Sequence, residues 1–151
     1  MRTLATSDAG AIPYYSDWYT IDFSGLNNYK IMQLGLDPTD CILQQKPTLL
    51  ILISADGKWP IINPTGVILR TEELYKFYDF IESIKFSGDF YYNVYIIKEV
   101  DNSIRDKIIS EVKLVSETSR MKNPTVNSIN EKMDWVINRL FSRIGINRSI
   151  N

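Results

Sequence analysis

The amino-acid sequence predicts an α+β domain: a mainly antiparallel sheet of about four to five strands, packed on one face by three helices. Three observations lead there. Strand-favouring runs gather early in the chain, amphipathic helical spacing gathers late, and the most apolar run, residues 49–53, is short enough for a single central strand. The predicted order is β-β-β-β-α-β-α-α, without a visible internal repeat. Residues 1–13 read as an extended N-terminal arm, 14–145 as one domain and 146–151 as a tail.

The arm is expected because residues 1–13 are small and polar and end at Pro13. Residues 14–23 then read as a strand, since Tyr19, Ile21 and Phe23 alternate with Thr20 and Asp22. Residues 24–28 supply turn chemistry, and 29–34 read as the returning strand of a hairpin. Asp37-Pro38-Thr39-Asp40 reads as a turn, with Pro fixing φ at its second position.

The run Leu49-Leu50-Ile51-Leu52-Ile53 is continuous rather than alternating, which suggests a strand covered on both faces. Asp56-Gly57 gives a hairpin signal, because both residues tolerate positive φ. Residues 59–69, broken by Pro60 and Pro64, read as an interrupted edge strand or a loop followed by a short strand.

Thr71 caps a predicted helix whose apolar face is Leu74, Phe77, Tyr78, Ile81 and Ile84, closed by Ser87-Gly88. Residues 90–100 form a predicted strand rich in Tyr and Ile. Asp101-Asn102-Ser103 caps a second helix through Val115, with Ile104, Ile108, Val112 and Val115 inward. Residues 117–126 read as a linker. A third helix starts at Ser128, whose capping box is completed by Glu131. Its stripe is Met133, Val136, Ile137, Leu140, Phe141 and Ile144, and Gly145 stops it.

The composition excludes much chemistry. Histidine is absent from the 151 residues. That removes the commonest general base and metal ligand, and with it Ser-His and Cys-His nucleophile pairs. One cysteine, Cys41, permits no intrachain disulfide and fits a reducing compartment; it reads as a structural thiol. One Cys without His does not supply a zinc site. The seven glycines form neither a Walker A loop nor a dinucleotide fingerprint, so no cofactor is implied. Asp37 and Asp40 read as turn stabilisers rather than Mg²⁺ ligands.

Net charge is −1, which argues against a nucleic-acid or anionic-membrane partner. No apolar run reaches the length of a membrane-spanning helix. Basic residues gather late, where residues 101–151 carry 9 against 6 acidic ones.

Two groups remain as binding candidates. Tyr14, Tyr15, Trp18 and Tyr19 form the densest aromatic cluster, and four rings so close on one strand cannot all point inward. Outward Tyr and Trp are enriched in protein interfaces. On the third helix, Lys132, Arg139 and Arg143 fall close to one face, with Trp135 off the apolar stripe. The expected function is therefore a non-enzymatic structural or assembly protein, of the kind that forms a phage or virus virion component (a neck, tail or baseplate part). Its expected partners are other protein subunits, and its expected place is a reducing intracellular compartment or the virion. The alternatives are a small regulator of one host enzyme or nucleic-acid complex, and an enzyme working with carboxylates, Lys or Tyr.

Overall fold

A computed structural model of the protein describes residues 2–7, 10–24, 29–58, 69–87, 89–121 and 136–141. Its elements run in the order β1 (Thr3–Thr6), α1 (Ala11–Ser16), β2 (Tyr19–Asp22), α2 (Tyr29–Leu34), α3 (Pro38–Gln45), β3 (Leu49–Ser54), α4 (Thr71–Phe77), β4 (Tyr78–Ser87), β5 (Phe90–Ile97) and α5 (Asn102–Met121). Residues 136–141 are also helical. The α+β class holds, but the five-stranded sheet is mixed and more helices pack on it than expected.

Strand order is β2-β1-β3-β5-β4. β1 pairs in parallel with both β2 and β3. β5 pairs antiparallel with β3 and with β4. The expected N-terminal arm is thus a correction: residues 3–6 form an interior strand, with Leu4, Ala5 and Thr6 fully buried. So short a strand holds that position because its backbone is paired on both sides, Leu4, Ala5 and Thr6 with β2 and with β3.

The parallel half has the connections that parallel pairing requires, since a two-residue turn cannot return a chain to the same direction. α1 carries the chain from β1 to β2. α2 and α3 carry it from β2 across to β3, on the other side of β1. Crossovers of one hand running in opposite directions leave their helices on opposite faces of a sheet. The core obeys this. Ile12 of α1 packs with Ile108, Val112 and Val115 of α5 and with Val136, Ile137, Leu140 and Phe141 over Leu49, Ile51, Val94 and Ile96. Ile31, Cys41, Ile42 and Leu74 pack over Ala5, Leu50, Leu52, Tyr95 and Ile97. Helices therefore cover both faces, not one.

β3 is the interior strand its composition predicts, with apolar layers on each side. Three expected strands or turns are helices instead. Residues 11–16 form α1, which closes on Asp17 in the left-handed region at φ 53°. Residues 29–34 form α2. The expected turn at Asp37 opens α3: the Asp37 carboxylate accepts from the Thr39 and Asp40 N–H groups, and Pro38 sits in the first turn, where its missing donor costs nothing.

The expected helix across residues 71–84 stops at Phe77, and β4 follows. The cause is a β-bulge. The register with β5 shifts between Phe80 and Glu82, so one residue is inserted into the alternation. Ile81 and Ile84 then share a face at a spacing of three, which imitates a helix in the sequence. The expected second helix is α5, which runs on to Met121, into the expected linker. Ile108, Val112 and Val115 are inward, but Ile104 is half exposed. For the third helix, Val136, Ile137, Leu140 and Phe141 are buried as expected. Ser128, Glu131, Met133, Ile144, Gly145 and the tail lie outside the described residues, as do residues 25–28, 59–68 and 122–126.

Candidate functional site

The aromatic group at residues 14–19 does not share one strand, and the structure divides it. Trp18 follows the left-handed Asp17 and turns inward, 6% exposed, its ring edge-on to Phe141 at 5.9 Å. Ser16 fixes that turn by accepting from the Trp18 backbone N–H at 3.2 Å. Tyr15 packs partly against the same core. Tyr14 and Tyr19 face outward, 75% and 59% exposed. Tyr14 is held edge-on to Tyr15 at 4.9 Å. Tyr19 opens β2, the strand at one edge of the sheet, which pairs only with β1 among the described residues.

Of the basic group, Arg139 is half-buried in the helical segment 136–141. Lys132, Trp135 and Arg143 lie outside the described residues. Cys41 is buried beside Ile42 in the layer over β3, in keeping with a structural thiol. Asp37 and Asp40 both meet Arg70, which also holds Glu73 at 2.7 Å. These charges pin the start of α4 to the start of α3, and Glu73 and Asp40 hold the guanidinium well above its ordinary pKa.

A second site, which sequence reasoning missed, lies at the opposite edge of the sheet. Gly57, Lys58, Tyr75, Tyr78, Asp79, Phe80 and Tyr95 line a cleft of about 390 Å³. Its aromatic wall is assembled from three elements. Tyr75 of α4 stacks on Tyr95 of β5 at 5.2 Å, and Phe80 of β4 meets Tyr95 edge-on at 5.4 Å. The Tyr75 and Tyr95 hydroxyls are 3.2 Å apart. Phe80 is 53% exposed, so its ring is available to a ligand.

The bulge that disguised β4 also builds this wall. By inserting one residue after Phe80, it brings Ser83 opposite Asn93, while Phe80 stays opposite Tyr95. Ser83 Oγ then sits 2.6 Å from the Asn93 amide oxygen and 2.6 Å from the Gly57 carbonyl. That contact ties the turn after β3 to β4 and sets the rim of the cleft. Gly57 meets the turn at φ 73°, and Asp56 accepts from the Lys58 N–H at 2.9 Å. Burial pushes the Tyr78 and Tyr95 hydroxyls well above the ordinary tyrosine range, and for Tyr95 the Tyr75 hydroxyl adds to the effect. Tyr78 donates to the Pro47 carbonyl at 2.9 Å.

The charges around the cleft are unequal. Asp79 is bound by Arg105 at 2.5 Å and approached by Lys98 at 3.7 Å. Lys98 also donates to the Tyr75 and Lys76 carbonyls, closing the last turn of α4. The Lys58 side chain makes no ion pair among the described residues. Among those residues no group of acidic, Cys or His side chains is placed to hold a metal ion, and no helix is long and apolar enough to cross a membrane.

A family model described as a domain of unknown function (DUF8728) matches residues 1–95, well over half of the 151-residue chain. The chain belongs to this family. The DUF8728 match runs from β1 to Tyr95 in β5. It takes in both the β2 edge with Tyr14 and Tyr19 and every residue that lines the cleft, while α5 and residues 136–141 lie beyond it. No curated protein and no solved structure matches the chain.

Proposed function

We propose that this protein is a non-enzymatic assembly component that acts through protein–protein contacts made at its β2 edge. The observation that carries the reading is the outward placement of Tyr14 and Tyr19, 75% and 59% exposed, on the segment that leads into and opens an edge strand. Exposed tyrosines supply large contact area at low entropic cost and are enriched where proteins meet. Among the described residues β2 pairs only with β1, and an edge strand is a surface to which a neighbouring chain can add. The narrower reading, a phage or virus virion component of the neck, tail or baseplate, rests on the size and composition of the chain.

Light scattering after size exclusion, across a concentration series, tests this. The expected result is association of the wild-type chain, and a shift toward monomer for a Tyr14→Ala/Tyr19→Ala double variant whose thermal melt is unchanged. Association that ignores the double substitution removes the β2 edge as the contact. A strict monomer at every concentration removes self-assembly as its setting.

A further inference from the structure

We propose that the aromatic cleft between β4, β5 and α4 binds a small planar aromatic anion of about mononucleotide size. This is independent of the assembly reading, because Tyr14 and Tyr19 lie toward the β2 edge and the cleft is lined from α4, β4 and β5, at the other end of the strand order.

Three observations select that ligand class. The first is volume: about 390 Å³ falls within the range of pockets that bury one small molecule, and is too small for a packed protein element. The second is shape. Tyr75 and the buried Tyr95 stack as the floor of an aromatic wall, and Phe80, edge-on to Tyr95, stays half exposed instead of packing into the core. A flat ring that stacks on Phe80 recovers apolar area that the folded chain leaves in water. The third is charge. The cleft-lining carboxylate, Asp79, is already answered by Arg105 and Lys98, and Asp56 sits at the Lys58 backbone N–H, so among these described residues three cations face two carboxylates and the rim keeps a positive surplus. An anionic group on the ring meets Lys58 there. The same surplus opposes the other ligand that aromatic walls attract, a quaternary ammonium ion.

Isothermal titration calorimetry on the full chain tests the assignment with five probes: AMP, naphthalene-1-sulfonate, adenosine, inorganic phosphate and choline. At least one of the two aromatic anions binds with Kd below about 1 mM. Adenosine binds more weakly than AMP, and phosphate alone shows no heat. Phe80→Ala weakens the aromatic anions by about fivefold or more. Lys58→Ala weakens them by roughly threefold and leaves adenosine unchanged. Both side chains are exposed, and a thermal melt within a degree or two of wild type establishes that each variant is folded. Silence from both aromatic anions up to 10 mM overturns the proposal. So does binding that survives both substitutions, or choline binding tighter than AMP. None of these outcomes bears on the oligomeric state that tests the β2 edge.

Discussion

The two halves of the sheet are built on different terms. β3, β5 and β4 form an antiparallel unit, with six register pairs between β3 and β5 and long strands throughout. β2 and β1 have four residues each and reach β3 only through parallel pairing. In the antiparallel half β4 and β5 follow one another in the chain and pair from Tyr78 opposite Ile97 to Ser87 opposite Phe90. The parallel half depends on α1, α2 and α3 to bring the chain back in the same direction, so its stability is spread over the helices that cross it. The half with weak local signals therefore draws its order from contacts made elsewhere in the chain.

The largest test of that contrast is removal of residues 1–7. β1 bridges β2 to β3, so the truncated chain loses its cooperative unfolding transition in urea. Were these residues an arm, the midpoint would stay where it is. Next in size is Trp18→Ala, expected to cost about 3–5 kcal/mol because the indole fills the core against Phe141. Tyr19→Ala, one residue later and facing water, stays within about 0.5 kcal/mol. Equal effects at the two positions would show that the local turn at Asp17 does not separate them.

The antiparallel half is probed by alkali. Tyr78 and Tyr95 have raised folded-state pKa values, so the folded chain keeps protons that the unfolded chain releases near the ordinary tyrosine value of about 10. Stability from this source is complete below that pH and falls as the pH rises toward the folded values. Absorbance of tyrosinate against pH should show Tyr78 and Tyr95 among the tyrosines that ionise only with unfolding. Smooth titration of all nine tyrosines together would place both rings in water. The smallest effect is expected at the cleft rim. Gly57→Ala is strained by φ 73°, but its new methyl group would meet Tyr91 at an ordinary 3.5 Å, so the cost is about 1 kcal/mol.

Legibility in the sequence crossed that divide: β2 of the parallel half reads as strand, and β4 of the antiparallel half does not. β3, β5, α5 and the inward face of residues 136–141 were readable because apolar periodicity and burial coincide there. α3 carried its signal in plain view, an Asp cap followed by Pro, yet the same residues also spell a turn, and only the continuation of the chain distinguishes them. β4 was misread as helix because a bulge changes a period of two into a spacing of three. The cleft was hidden with it, since its wall needs Phe80 on a strand paired with Tyr95, and Tyr75 of α4 stacked over that ring.

Composition and apolar patterning alone specify an α+β chain without histidine chemistry, with one interior apolar strand and an aromatic group split between inside and outside. Which rings went outward was decided by tertiary structure, because the left-handed Asp17 and the core around Phe141 select Trp18 over its neighbours. The interior place of β1 was decided there too. Residues 3–6 carry little pattern of their own, and pairing with distant strands on both sides gives their backbone groups the partners that no local sequence provides.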